Sequence, residues 1–214
     1  MNSPILFLVT GADHINQCNP ILKRERYIEY TLSLHKVFHY SYPVIGVLSE
    51  IDKENNKDCP PFDLFPFQTL TKITRGELDG YNKSIREGIS IIRLLQEAPT
   101  IDDDTFIIKI SGRYLIMDDS FITIVKNNVL NHNIVAVIRT AENQTAQYTF
   151  LYALRYRYMK EFYEKYKHEV HDDISVEYRI FEFLKQNQLL QSTIMVNQLG
   201  ILANINNDDI FQMM

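Results

Sequence analysis

Residues 106–110, Phe-Ile-Ile-Lys-Ile, restrict what this chain can fold into more than any other stretch. The run is apolar and largely β-branched apart from Lys109, which suits a strand covered on both faces, as in the interior of a parallel sheet. It passes without a linker into Ser111-Gly112-Arg113-Tyr114. A short polar residue, a glycine that lets the backbone approach a ligand, a guanidinium and an aromatic thus lie together where a central strand ends. Open α/β sheets collect their ligands at the carboxyl ends of strands. A tight turn with a merely solvated arginine explains the same residues, so the rest of the chain has to decide.

The pattern recurs upstream. Residues 5–9, Ile-Leu-Phe-Leu-Val, are a second continuous apolar run, ending at Thr10-Gly11-Ala12-Asp13. Pro20 opens a helical pattern with Ile21, Leu22, Tyr27, Ile28, Thr31, Leu32, Leu34 and Val37 mainly on one face. Lys23, Arg24, Glu25, Arg26 and Glu29 fall mostly on the other. Residues 43–48 predict the next strand, closed by Ser49 and Glu50. Strand, helix, strand is the βαβ unit, which leads to a parallel sheet.

Further strands are predicted over residues 65–70, 133–140, 148–152 and 193–198. Helices are predicted over residues 81–96, 121–130, 155–166 and 175–186. The sum is one α/β domain over residues 1–214, with a mostly parallel sheet of about six strands flanked by helices. The polar tail leaves open whether it belongs to a longer polypeptide.

Composition narrows the function. An apolar share of 45%, with 12 Phe and 13 Tyr, supplies ample core material. The net charge of −5 carries no basic footprint for nucleic acid. Cys18 and Cys59 are too few and too scattered for a disulfide framework or a zinc site. No apolar run approaches the roughly 20 residues of a membrane span, so the expectation is a soluble, cytoplasmic protein. A dinucleotide fold needs G-x-G-x-x-G after the first strand, where only Gly11 stands. The P-loop and the G-x-S-x-G elbow are absent as well.

What remains is a set of polar residues at predicted strand ends: Thr10, Gly11, Ala12 and Asp13; Glu50; Glu77 and Asp79; Ser111, Gly112, Arg113 and Tyr114; Arg139 and Thr140. Lys83, at the start of a helix, and Lys109 add positive charge. Cations beside backbone amides suit a diphosphate, because charge-assisted hydrogen bonds are the strong ones. A carboxylate in the same cleft suits general-base work on a hydroxyl. Those are the parts of a transferase that takes a sugar from a nucleotide diphosphate.

The order strand-T-G-A, R-x-R-Y on the first helix, N-K at a later helix start and K-I-S-G-R-Y ending the central strand resembles small GT-A-type glycosyltransferases. These include viral and bacterial glycan enzymes, and the resemblance extends to the N-terminal domain of a chlorella-virus capsid-glycan glycosyltransferase. The resemblance implies a UDP-sugar donor held along residues 10–12, Glu50 and residues 111–114, with Lys83 and Arg113 on the diphosphate. It implies inverting transfer, with L-rhamnose as the sugar, to an oligosaccharide or glycoprotein glycan, in the host-cell cytoplasm if the protein is viral. Asp79, between Gly76 and Gly80, is the candidate base, and Tyr114 and Arg139 are placed toward the acceptor.

GT-A enzymes commonly end the central strand in D-x-D and hold Mn²⁺ or Mg²⁺ there, whereas this strand ends in Ser-Gly-Arg. The expectation is therefore that Arg113 and Lys83 replace the metal's charge, with Glu77 and Asp79 as its ligands if one is used. Each residue also has a plainer explanation. Asp79-Gly80 is a common turn pair, Lys83 and Arg113 are ordinary surface cations, and the tyrosines of residues 152–166 have core spacing. A non-catalytic module that binds a glycan or partner on a degenerate GT-A scaffold is the alternative function.

Overall fold

The computed structural model of the protein describes residues 3–12, 20–51, 61–74, 76–81, 83–140, 150–166, 176–204 and 211–213. In chain order these form β1 (Ile5–Ala12), α1 (Pro20–His39), β2 (Val44–Ile51), β3 (Thr69–Thr74), α2 (Lys83–Glu97) and β4 (Phe106–Ser111). There follow β5 (Leu115–Ile116), α3 (Ser120–Asn127), β6 (Ala136–Ile138), β7 (Leu151–Arg155), α4 (Tyr156–Tyr166) and α5 (Val176–Gln186). The last are β8 (Thr193–Met195), β9 (Ile201–Asn204) and β10 (Phe211–Met213). No described helix is long and apolar enough to cross a membrane.

Seven strands make one sheet in the order β3-β2-β1-β4-β7-β6-β8. Only β7 runs against its neighbours; the other pairings are parallel. The expected single α/β domain with a mostly parallel sheet is what the chain forms, with one strand more than expected. From β1 the chain steps outward through β2 to β3, then α2 carries it back to β4 on the far side of β1. The winding therefore reverses between β1 and β4, and such a switch point opens a crevice at the carboxyl ends of the two strands.

Alternation explains the two cores. In β1, Ile5, Phe7 and Val9 join the core beneath α1 and α3, whereas Leu6 and Leu8 join the one beneath α2, α4 and α5. In β4, Phe106, Ile108 and Ile110 go to the first. Ile107 goes to the second, and Lys109 shares its face by the two-residue period of a strand.

Two predicted elements are corrected. Residues 65–70 were expected as a strand, but Phe65 stacks on Phe38 and Phe67 on Phe62, so these rings plug the core edge and pairing begins at Thr69. The buried face of α1 is Tyr30, Ser33, Leu34 and Val37, while Tyr27, Ile28 and Leu32 are exposed. The helix is turned by its polar anchors: Tyr30 Oη binds Ala12, and Ser33 Oγ donates to the Tyr114 carbonyl at 2.8 Å. The tyrosine-rich stretch packs as core, with Tyr152, Tyr163 and Tyr166 buried.

Gly88 in α2 lies against the Tyr166 ring, where an added Cβ would fall 2.4 Å from Cε1. Gly88→Ala gains about 1 kcal/mol of helix propensity, but overpacking a filled core costs about 1–3 kcal/mol. The clash wins because Tyr166 is wedged against Phe162 and Tyr163. The expected result is a lower melting temperature by thermal unfolding; a higher one would show that the α2–α4 seam has room.

Candidate functional site

The crevice at the β1–β4 switch point is built from side chains of both strands and of α2. Thr10 and Ser111 are register partners at its floor. The Gly112 N–H donates to the Thr10 carbonyl at 2.7 Å, which folds the chain after β4 back over β1. Behind them Lys109, 1% exposed, places Nζ 2.6 Å from Glu87 Oε1 and 3.1 Å from Ser111 Oγ. Thr10 Oγ1 donates to the same Glu87 oxygen at 2.8 Å. One carboxylate oxygen thus ties α2 to both central strands.

The preceding residue of α2 holds the neighbouring strand. Arg86 donates to Glu50 at 2.7 Å and to the Tyr81 carbonyl at 2.7 Å. Glu50 sits at φ +61°, in the left-handed region, where the β2–β3 register shifts. A non-glycine residue held there stores roughly 1–3 kcal/mol of strain, and such residues gather at functional sites.

Residues 10–12 end β1 at the crevice, and the Gly11 and Ala12 backbone there is already engaged. The Gly11 carbonyl accepts from Ser49 Oγ, and the Ala12 N–H donates to Tyr30 Oη, which donates to the Ala12 carbonyl. Burial pushes the Tyr30 phenol up to about 12, so it keeps its proton and its donor role. The strand end forms a wall of the crevice rather than a row of spare amides. Gly112 has a packing reason as well: a Cβ would come within 2.9 Å of Val9 and 3.2 Å of Tyr30.

Arg113 differs from its neighbours. Lys109, Arg86 and Arg93 each face a carboxylate within 2.7 Å. The Arg113 guanidinium lies over the Tyr114 ring and gives one hydrogen bond, to Tyr114 Oη at 2.8 Å, with no carboxylate partner among the described residues. Tyr114, expected to face an acceptor, is 3% exposed and packs edge-on against Phe150. With its carbonyl held by Ser33 and its ring capped by Arg113, the Tyr114 side chain packs in the core.

The turn after β3 carries Asp79. Gly76 and Gly80 both take positive φ, +96° and +91°, as a tight turn between glycines requires. Asp79 is exposed and its N–H approaches the Gly76 carbonyl at 3.4 Å. Because β3 is parallel to β2 and β1, the turn lies on the same carboxyl edge as the crevice. Glu77 is spent locally: one oxygen takes the N–H and hydroxyl of Thr74 and the other binds Arg93. These bonds hold its carboxyl well down, to about 2.

Glu77 is committed, β4 ends without acids, and no cluster of three or more His, Cys, Asp or Glu exists among the described residues. Arg139 follows β6, two strands from β4 and on the same carboxyl edge of the sheet. Lys83 opens α2 on the site side, though its side chain lies outside what is described, as do Asp13, Cys18, Cys59 and residues 171–173. Sequence reasoning missed Tyr30, Arg86 and Glu87. The one available signal was an Arg-Glu pair in the opening turns of a helix that follows a strand's carboxyl end.

No protein-family profile matches the chain. No curated protein sequence matches it either. Solved structures do match. A 2-C-methyl-D-erythritol 4-phosphate cytidylyltransferase from Francisella tularensis aligns over 95% of both chains with a TM-score of 0.55 and 10% identity. A glycosyltransferase involved in glycosylation of the major capsid of PBCV-1 aligns over 90% of this chain and 81% of its own, with a TM-score of 0.50 and 8% identity. A protein assigned as a nucleotide-diphospho-sugar transferase from Desulfovibrio desulfuricans G20 aligns over 91% and 80%, with a TM-score of 0.50 and 11% identity. Identity this low speaks to the fold alone. By strand order, switch point and these likenesses, the chain has a GT-A-like α/β fold.

Proposed function

We propose that the protein is a glycosyltransferase that takes a sugar from a nucleotide diphosphate, UDP by the resemblance of its motifs, and delivers it to a hydroxyl of a glycan. The observation that carries this reading is Arg113. It stands at the carboxyl end of β4, beside the switch point, as a cation with no carboxylate partner among the described residues. A forked guanidinium there suits a diphosphate. Transfer with inversion then follows simple bookkeeping of atoms. The acceptor oxygen bonds to the anomeric carbon, the bond from that carbon to the phosphate oxygen breaks, and UDP leaves with the electron pair. The hydroxyl proton passes to Asp79, and Arg113 with Lys83 balances the charge on the leaving diphosphate. L-rhamnose is the proposed sugar, from the motif resemblance; no metal-dependent step is included.

UDP at millimolar concentration is expected to raise the melting temperature, and Arg113→Ala is expected to remove that rise, with a fall of only a few degrees in the unliganded melting point from the lost cap on Tyr114. No rise with UDP, CDP or GDP in the native protein defeats the proposal. A second reading, a glycan- or partner-binding module without turnover, is favoured by the pairing of Glu50, Glu77 and Glu87 with cations. It prevails if the native protein binds UDP and neither hydrolyses nor transfers from any UDP-sugar.

A further inference from the structure

The consecutive residues Arg86 and Glu87 do something no other dipeptide in the described chain does. They connect one helix to the carboxyl ends of three adjacent strands. Arg86 reaches Glu50 on β2, and Glu87 reaches Thr10 on β1 and Lys109 on β4. Neighbouring positions on a helix point about 100° apart, so the pair spreads across the sheet edge instead of stacking on one strand.

Lys109 is the costly part. An ammonium 1% exposed, within an otherwise apolar run, carries a desolvation penalty that its pairing at best offsets. An apolar pair of similar volume would serve the core equally well. The ion pair is therefore explained better by what it holds in place than by stability.

What it holds in place is the floor of the crevice. Lys109 Nζ also donates to Ser111 Oγ, one residue before the glycine whose N–H is bonded to Thr10. Ser111 leads directly into Arg113. Tyr152, the β7 register partner of Lys109, and Tyr163, which it meets at 3.0 Å through their hydroxyls, close the cluster from α4 and β7. The Tyr163 phenol is raised well above its ordinary value, first by burial and then by Tyr152 and Glu87.

We infer that Arg86 and Glu87 form a crossbar of positioning residues that fixes the Thr10 and Ser111 strand ends, and through them Arg113, in the geometry that receives a nucleoside diphosphate. This rests on the proposed donor site and adds the support that site depends on. Neither residue is a catalytic group here; both act through others.

The test separates support from stability by replacing the ion pair with an apolar one. In the double variant Glu87→Leu/Lys109→Met no charge is left buried alone, and the melting temperature should stay within a few degrees of native. Its dissociation constant for UDP, measured by titration calorimetry, should rise roughly tenfold, the lower end of what losing an outer-shell partner costs a metal site. Arg86→Met, which frees Glu50, should weaken UDP in the same direction with little change in melting. Unchanged UDP affinity in both variants, with a native protein that binds UDP, overturns the crossbar and leaves the donor site standing. Collapse of melting in the double variant also overturns it, by making the pair structural. A native protein blind to UDP removes the donor site and the crossbar together.

Discussion

Arg155→Met is expected to cost about 4 kcal/mol of stability, at the upper end of what one substitution does. Arg155 is 0% exposed, and its guanidinium lies 4.3 Å over the Phe106 ring. Nε donates to the Ile134 carbonyl at 2.8 Å and Nη1 to that of Asp104 at 2.5 Å. Nη2 faces the carbonyls of Asn128, Val129 and Asn131 at 3.4, 3.2 and 2.8 Å. One side chain thus collects the carbonyls that follow α3, the strand entry to β6 and the turn before β4.

Methionine fills much of the volume and accepts none of that burden, leaving buried carbonyls unpaired at a net cost of about 1–3 kcal/mol each where water cannot replace the donor. The sum is softened because several carbonyls lie near enough to the surface to find water. Urea unfolding should show the midpoint falling by roughly 1–2 M at an unchanged slope. Arg155→Lys should recover only part of the loss, since a single ammonium cannot fork to carbonyls from three segments. A loss under about 1 kcal/mol for Arg155→Met would mean the carbonyl cage is incidental.

The second large effect concerns turnover. Asp79→Asn should reduce kcat with a UDP-sugar donor by about 10²–10⁴-fold, the usual contribution of a positioned base. Binding of UDP should be unchanged, and so should melting. Asp79 is exposed, its only described bond is through its backbone N–H, and the turn geometry resides in Gly76 and Gly80. The split between kcat and UDP affinity is the informative readout. If turnover survives the substitution, the base lies elsewhere on the carboxyl edge.

The architecture was legible because strand and helix periods are local properties. Residues 5–9 and 106–110 read as doubly covered strands, and they became the two central, adjacent strands of the sheet. Elements went astray where aromatic rings decided. Phe65 and Phe67 have strand propensity, yet tertiary stacking on Phe38 and Phe62 claimed them and moved β3 four residues on. Similarly, α1 was expected to bury a face with Tyr27, Ile28 and Leu32, but hydrogen bonds from Tyr30 and Ser33 to distant backbone turn it so that those residues are exposed.

The same division runs through the site. Sequence alone determined that polar residues gather at strand ends, that the central strand ends in an arginine instead of acids, and that Asp79 is flanked by turn glycines. These follow from residue type and spacing along the chain. Only the tertiary structure decided which of those residues have spare bonds. Glu77 is taken by Thr74 and Arg93, Tyr114 is buried, and the backbone of Gly11 and Ala12 is taken by Ser49 and Tyr30. It alone revealed that Glu87 joins Lys109, 22 residues further along, and Thr10, 77 residues back. Partners so far apart meet only when the sheet order is set, and the winding that sets it is a property of the whole chain.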